Sequence, residues 1–384
     1  MKIMFILPSL GMGGAEKVVT VLLKELLKYG YEIHLCCLER DNFYKVDNKI
    51  KIHYLATSLK KENNILKLIK LPILSYKLYK IIKKERINIV QSHLYRANIV
   101  NTMLKFFNKN LNIQIVNHGL ISRYIKMGIK GKINLFLIKY FYKKADFIVS
   151  LSKYMEYDMQ KLFNFTNKQI IINNPYDIDN IINQSLEDVN EFNFNKNKKY
   201  LISIGRLIRL KRNKDLILSL KQLSEDFEVI FLGNGEEKEN LMKLSKELDI
   251  AHRIHFLGNV QNPFKYLKHS FASILTSENE GFPNVLIESM ICKVPVISTD
   301  CKSGPREILA PDSDFMVSIK NNIEITEYGI LVPINDIDYL IEAIKYIDIN
   351  NVNGIINNSF NRSKLFSVGS ISKEYKLILE HISE

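Results

Sequence analysis

Glu280 and Glu288 stand eight positions apart in ENEGFPNVLIESM, a spacing at which two carboxylates could do acid/base work or hold hydroxyl groups. On one continuous helix they would lie about 12 Å apart along the axis, too far to share one small group. Gly281 and Pro283 oppose helix before residue 283, whereas proline suits a first helical turn and Asn284 suits a cap. The sequence therefore predicts Glu280 in a loop and Glu288 a turn or so inside the helix that follows. The free backbone N–H groups of residues 283 to 286 would point back at whatever Glu280 faces. An anion site flanked by hydroxyl-binding carboxylates results, and phosphate plus sugar fits it.

Other residues with related chemistry recur along the chain. GRLIRLKR sets Arg206 and Lys211 after the apolar run YLISI. A planar guanidinium and a point ammonium can together neutralise a diphosphate and stabilise charge building on a leaving group. Solvated surface charge explains such a pair equally well, and Arg209 and Arg212 are expected to be exposed. GMGGAE, with Gly11, Gly13 and Gly14, permits a tight turn before a helix starting near Ala15. It stops short of GxGxxG because Glu16 stands at the last position, and Lys17-Val18 excludes a P-loop ending. His118, in VNHGL, precedes Gly119, where the chain can turn sharply. With no His or Cys at ligand spacing it is not read as a metal ligand, which leaves a contact to a bound sugar or a structural role. CKSGPREIL, residues 301–309, is either an anion or hydroxyl reader or a turn with proline at a helix start.

These residues need strands behind them. KIMFILP, EIHLCCL, IKIHYL, INIVQSH, IQIVNHG and DFIVSLS are strand candidates in the N-terminal half, each followed by a segment of helical spacing. The pattern restarts after residues 187–199, a polar Asn/Lys-rich stretch that reads as a linker, with YLISIGR, FEVIFLG, RIHFLG, ASILTS, VPVIST and GILVP. Two doubly wound α/β units follow: residues 1–186 and residues 200–366. Open sheets of this kind bind ligands beyond the carboxyl ends of their strands. Gly11, Gly13, Gly14, His118, Gly119, Gly205, Arg206, Gly233, Gly235 and Glu280 all follow such ends.

A chain of 384 residues with 46% hydrophobic content has enough apolar material for two cores. Cys36, Cys37, Cys292 and Cys301 form no CxxC or Cys/His pattern, which points to a reducing compartment and no structural metal. The apolar run at the start is too short for a secretory signal core, and no stretch reaches the ~18 apolar residues of a spanning helix. The net charge of +13 is unevenly placed: residues 1–190 hold 30 basic and 15 acidic side chains. Residues 60–86 carry nine basic and two acidic side chains, and residues 123–144 seven and none, both with aromatic and aliphatic partners. Such faces suit an anionic membrane surface, where each nearby Lys or Arg contributes roughly 1 kcal/mol. Ordinary solvated helices remain the alternative, and no nucleic-acid module accompanies the basic residues.

Taken together, E-x7-E in ENEGFPNVLIE, the GRLxxxK motif and the GGAE turn resemble the retaining glycosyltransferases of family 4, which have the two-domain GT-B fold. The likeness covers nearly the whole chain. It implies two Rossmann-like domains facing a central cleft, with the C-terminal one binding a nucleotide-sugar donor. Arg206 and Lys211 would take the diphosphate and Glu288 the ribose hydroxyls. Glu280 with the backbone at Phe282, Pro283 and Asn284, and Val285 beside it, would hold the donor sugar, while His118 reaches it from the other domain. Gly205 would sit by the donor, and Gly258 and Val260 where such enzymes grip the base. Gly13 and Gly14 would lie by the phosphates and the acceptor, with Tyr95 and Arg96 on the acceptor side. The last helix, residues 367–384, would cross back onto the N-terminal domain.

SGPREIL, a polar insertion and EYGILVP resemble bacterial enzymes that build surface polysaccharides or lipid-linked oligosaccharides. That likeness implies a UDP-sugar donor, a lipid-linked glycan acceptor and peripheral attachment to the cytoplasmic face of the membrane. No cofactor is implied. No DxD stands at a donor position, since DID at 177–179 and 336–338 falls in polar segments, so cations and helix N-termini would replace a divalent ion. For retention the family's favoured account is front-face attack, with a leaving phosphate oxygen deprotonating the acceptor hydroxyl. Competing functions are a nucleotide-sugar epimerase or phosphorylase of the same fold and a non-enzymatic nucleotide-sugar binder. Epimerised sugar formed from donor alone would mark the first, and tight donor binding without nucleotide release the last. A dinucleotide-dependent dehydrogenase would leave Glu280, Glu288, Arg206 and Lys211 idle.

Overall fold

The structure is a computed structural model that describes residues 1–56 and 68–380. The chain divides into two compact units: Met1–Pro175 together with the C-terminal segment from Val368, and Tyr176–Ser367.

In the first unit the strands are β1 (Lys2–Leu7), β2 (Glu32–Cys37), β3 (Lys51–Tyr54), β4 (Ile89–His93), β5 (Asn112–Asn117), β6 (Phe147–Ser150) and β7 (Lys168–Ile171). They form one parallel sheet in the order β3-β2-β1-β4-β5-β6-β7. Every residue of β4 is buried, and all but the first of β1 and of β5, because helices cover both faces. That is why these strands read as unbroken apolar runs. β1 pairs with β2 on one side and β4 on the other, so the order reverses between β1 and β4, and ligand-binding loops belong above that point. Leu78, Val100, Ile113, Ile115 and Ile148 sit in its core, each contributing about 1.5–3 kcal/mol by burial.

The second unit repeats the plan. β8 (Lys199–Ile204), β9 (Phe227–Leu232), β10 (Ile254–Gly258), β11 (Ala272–Leu275), β12 (Val296–Thr299), β13 (Glu324–Ile325) and β14 (Ile330–Val332) are ordered β10-β9-β8-β11-β12-β14-β13. Only the β13–β14 pair is antiparallel. The reversal lies between β8 and β11, above a core that includes Leu201, Leu216, Val229, Ile274 and Ile297.

Every strand expected from sequence is present, and two more appear. β7 is a partly exposed edge and β13 only two residues long, so neither carries a strong apolar signal. β2 reaches β3 through turns, without the helix expected there. The unit boundary also falls earlier than residue 186. Helix Ile178–Ser185 packs on helices Phe264–Lys268 and Asn284–Ile291, which assigns it to the second unit. The expected linker 187–199 is a packed strap. Phe192 stacks edge-on against His255 and Tyr200, Phe194 against Tyr200, and Glu191 takes Lys265 at 2.9 Å. Asn193, Asn195, Lys196 and Asn197 are exposed while the alternate aromatics Phe192 and Phe194 pack inward, so composition concealed the packing.

Helix Val368–Glu380 lies on the first unit, burying Ile371, Tyr375, Ile378 and Leu379. Tyr31 donates to Glu380 at 2.8 Å, and Gln114 Nε2 donates to the Ile378 carbonyl at 3.2 Å. Residues 381–384 of the expected C-terminal helix, and 60–67 of the first basic stretch, lie outside the described residues.

Candidate active site

The loops beyond β8, β9 and β10 are held together by backbone in places where no side chain fits. Gly233 has φ +142°, and a Cβ there would stand 1.9 Å from the Gly205 carbonyl oxygen; one on Gly235 would stand 2.2 Å from that of Leu207. Gly205 N–H donates to Leu232 O at 2.9 Å and Gly233 N–H to Gly258 O at 2.7 Å. Glycine is required here by close approach, which keeps a backbone-lined floor beside the strand reversal. Val260 follows, partly exposed, in the loop after β10.

On that floor stand the charged groups. Lys211 ends the short turn Arg209–Lys211, and its Nζ lies 2.5 Å from Glu280 Oε1. Ser277 donates to the same carboxylate oxygen at 2.5 Å. Backbone stitches hold the two loops in register: Glu278 N–H reaches Leu210 O at 2.9 Å, and Thr276 Oγ1 donates to Lys211 O at 2.8 Å. Arg206 is exposed and has no side-chain hydrogen bond or ion pair among the described residues. Arg209 is exposed as expected. Arg212 is not, because Asp215 takes its Nε at 2.7 Å and Asn335 its Nη2, so it braces the loop from behind.

Glu280 indeed precedes the helix, which runs Asn284–Ile291 with Glu288 buried inside it. Two details differ from expectation. Pro283 occupies the N-cap, and Asn284 is the first helical residue, its Oδ1 accepting from Tyr176 at 2.7 Å instead of capping. Of the four backbone donors expected at residues 283–286, proline supplies none and Leu286 spends its own on Pro283 O. Phe282 is buried against Phe366, with ring centroids 5.6 Å apart, and Val285 is buried beside it.

CKSGPREIL supports this loop from below. Ser303, at φ +67°, donates to Gly281 O at 2.6 Å, and a Cβ on Gly304, at φ +92°, would meet Pro283 Cδ at 2.3 Å. Arg306 is buried and spent on Asp300 at 2.7 Å and Glu324 at 2.8 Å. The segment is a brace for Glu280, and its arginine is not available as an anion reader.

The corresponding loops of the first unit carry different chemistry. Gly13 caps helix Gly14–Leu26, and a Cβ there would collide with the Glu16 carboxylate at 2.0 Å. Leu94, at φ +72° and ψ 151°, links β4 to helix Tyr95–Thr102; a side-chain-bearing residue in that region stores backbone strain of order 1–3 kcal/mol. Tyr95 donates its hydroxyl to Asn134 at 3.0 Å. Arg96 Nη1 donates to Glu39 at 3.0 Å, while its Nε and Nη2 are buried with no partner among the described residues. His118 Nε2 lies 3.0 Å from His93 Nδ1. Desolvation pushes the His118 pKa down to about 4, although part of the residue keeps solvent access, and His93 is lowered further by burial and by His118.

Comparison with known proteins decides the family. Residues 12–180 match the family described as Glycosyltransferase Family 4, and residues 184–351 match Glycosyl transferases group 1. A Campylobacter jejuni enzyme named N-acetylgalactosamine-N,N'-diacetylbacillosaminyl-diphospho-undecaprenol 4-alpha-N-acetylgalactosaminyltransferase is 33% identical over 88% of this chain and 87% of its own length. The chain belongs to glycosyltransferase family 4. A Staphylococcus aureus capsular polysaccharide biosynthesis glycosyltransferase, CapH, is 25% identical over 98% of both chains. Among solved structures, Anabaena Alr3699/HepE in complex with UDP superposes with a TM-score of 0.74 at 17% identity, covering 99% of this chain and 100% of that one. The glycosyltransferase thus has the GT-B fold.

Within this glycosyltransferase Arg206, Lys211, Glu280, Phe282, Pro283, Asn284, Val285 and Glu288 share the loops and helix of the second unit's reversal point with Gly205, while Gly258 ends the edge strand β10 and Val260 follows it. Gly13, Gly14, Tyr95, Arg96 and His118 belong to the loops of the first unit. Sequence reasoning missed His93, Leu94 and Ser277, and it offered Ser303, within CKSGPREIL, as a reader where the structure makes it a brace. His93 had a usable signal, a histidine ending a central strand beside the reversal. Ser277 had none, since its partner is set by loop geometry.

The basic stretches of the glycosyltransferase, where described, form helix Leu71–Glu85 and the segment 122–142. Ile129, Phe136, Ile73 and Phe106 are exposed on them and on the turn Met103–Phe106 between. Lys144 lies over the rings of Phe106 and Tyr140, and Tyr76, Tyr79, Lys80, Lys83 and Lys84 line a depression of about 390 Å³. No helix among the described residues is long and apolar enough to cross a membrane.

Proposed function

We propose that this glycosyltransferase moves an N-acetylhexosamine, with retention of configuration, from a UDP-sugar to a polyprenyl-diphosphate-linked glycan during assembly of a bacterial surface or protein-linked polysaccharide. The observation that carries this reading is the similarity, at 33% identity over 88% of the chain, to an enzyme whose name specifies α-N-acetylgalactosaminyl transfer onto a diphospho-undecaprenol glycan. The UDP bound to a protein of the same fold supports the choice of base.

In this account Arg206, unpaired and exposed, meets the donor diphosphate first. Lys211 then turns from Glu280 to the same anion. Both cations stabilise the charge that develops as the bond between the sugar's anomeric carbon and phosphate oxygen breaks, and no metal ion is needed. Glu280, released from Lys211 and still held by Ser277, accepts hydroxyls of the donor sugar. The acceptor hydroxyl attacks from the face the diphosphate leaves, and its proton passes to the departing phosphate oxygen. Glu288 holds the ribose, and the backbone at Phe282–Val285, with Gly205, Gly258 and Val260, shapes the rest of the donor site. Gly13, Gly14, Tyr95, Arg96 and His118 serve the acceptor side and the sugar; the two unspent guanidinium nitrogens of Arg96 suit a phosphate or glycan oxygen. The exposed basic and aromatic face of the first unit holds the enzyme to the inner leaflet, where the acceptor lies.

A panel of UDP-, GDP- and ADP-sugars, scored for nucleotide release with and without a polyprenyl-diphosphate glycan, tests the assignment. Release from UDP-N-acetylhexosamine that requires the acceptor and persists in EDTA is expected. Release from another nucleotide, epimerised sugar without acceptor, or loss in EDTA would each refute the corresponding part. Vesicle co-sedimentation should require anionic lipid and weaken with salt; equal binding to neutral vesicles would remove the membrane partner.

A further inference from the structure

A buried line of side chains in the first unit connects His118 with the C-terminal helix, and its hydrogen-bond directions can be settled from one end. The Ile378 carbonyl can only accept, so Gln114 Nε2, 3.2 Å away, is the donor and the Gln114 amide is oriented. Gln114 Oε1 is then the acceptor for Gln91 Nε2 at 2.7 Å, which turns Gln91 Oε1 toward His93 Nε2 at 3.1 Å. An amide oxygen accepts, so His93 carries its proton on Nε2 and presents a bare Nδ1. The group facing that Nδ1 at 3.0 Å is His118 Nε2, which must therefore donate. A neutral His118 is left with a lone pair on Nδ1, which has no partner among the described residues.

Gln91, Gln114 and His93 are completely buried, so solvent offers none of them an alternative partner. Phe5 stacks on His93 with centroids 6.1 Å apart and confines the ring from the side. The second histidine pair of this unit differs. His34 Nδ1 meets His53 Nε2 at 3.0 Å, but its far end is Glu32, an exposed carboxylate shared with Lys2, where solvent can compete for the same bond. The His118 line runs instead through completely buried amides to a main-chain carbonyl.

We propose that Gln114, Gln91 and His93, anchored on the Ile378 carbonyl of the C-terminal helix, are positioning residues that lock His118 as its Nε2–H tautomer, so that Nδ1 serves as a hydrogen-bond acceptor for a hydroxyl of the bound glycoside. The glycoside contact rests on the transferase reading above; the lock itself does not. The device makes the carboxyl-terminal helix part of the catalytic preorganisation of a residue it does not touch.

Long-range proton–nitrogen correlation spectra of the full chain, labelled at histidine nitrogen and recorded at neutral pH without substrate, read the tautomers directly. His93 and His118, assigned by His93→Asn and His118→Asn, should both carry the proton on Nε2. Gln91→Leu should redistribute the His118 proton and lower kcat by about tenfold with donor KM little changed, the size of one hydrogen bond. A His118 protonated on Nδ1 or on both nitrogens in the wild type would overturn the lock, as would an unchanged His118 tautomer in Gln91→Leu. If the tautomers stand but no deoxy-donor or deoxy-acceptor loses its penalty in His118→Asn, the glycoside contact is wrong. Absence of nucleotide release from the wild type would instead strike the transferase reading and leave the spectra unaffected.

Discussion

The loops above the strand reversal of the second unit are built around charge, and those of the first around neutral hydrogen bonds. In the second unit Lys211 and Glu280 meet at 2.5 Å and Arg206 stands unpaired beside a glycine floor. In the first, two imidazoles held neutral by burial end a relay of amides, and Arg96 gives one guanidinium nitrogen to Glu39. The first five strands follow the same order in both sheets, and only the far edge differs, where β13 turns back antiparallel beyond β14. What differs is the side chains placed at equivalent strand ends, so one α/β plan carries charged groups in one copy and neutral imidazoles and amides in the other.

The largest effect expected from this division is on the charged side. Glu280→Ala should reduce kcat by about 10²–10³, the range for removing one preorganised polar contact to the reacting group, and Arg206→Ala should lower it without changing the sugar preference. Steady-state nucleotide release with acceptor present checks both; near wild-type turnover in both variants would dissolve the contrast.

Next in size is a difference in how the two floors are built. Gly233→Ala sets a Cβ against immovable backbone at φ +142° and should destabilise the second unit by about 3 kcal/mol. Gly13→Ala meets only the flexible end of Glu16 and should cost less than ~1 kcal/mol. Denaturant unfolding of the two variants compares them, and equal losses would contradict the glycine argument.

The smallest effect is acid sensitivity confined to the first unit. His118 is held below its ordinary value of 6.5, at about 4, and His93 is lowered as well, so the unfolded chain binds these protons first. Stability is complete above pH 6.5 and is lost as pH falls through that value toward 4, at about 1.4 kcal/mol per pH unit per imidazole. Hydrogen exchange between pH 7 and 5 should show faster opening around β4 and β5, and His93→Asn should reduce the slope. Acid loss confined to the second unit would argue against it.

Both sheets are legible because parallel strands buried on both faces leave continuous apolar runs, and Gly11, Gly13, Gly14, His118, Gly205, Arg206 and Glu280 each follow such a run, whereas Tyr95, Arg96 and Val260 rest on the family resemblance. Features set by distant partners were not legible. Asn284 has the composition of a cap, yet Tyr176, 108 positions away, claims its side chain. Residues 187–199 have the composition of a linker, yet Phe192 and Phe194 bind them down. Lys211 and Glu280 were assigned to the phosphate and the sugar separately, and only the fold brings them into one ion pair. The His118 relay depends on Gln114 meeting Ile378, 264 positions away, a contact no local pattern encodes.

The central claim is that charge in the second unit is divided, with Arg206 and Lys211 reading the diphosphate and Glu280 the sugar. Calorimetric binding of UDP and of intact UDP-sugar to the wild type, Arg206→Ala and Glu280→Ala tests it most directly. Arg206→Ala should weaken both ligands by a similar factor, whereas Glu280→Ala should weaken the UDP-sugar and leave UDP unchanged or tighter, because Lys211 is freed. Equal weakening of UDP and UDP-sugar by Glu280→Ala would contradict the account.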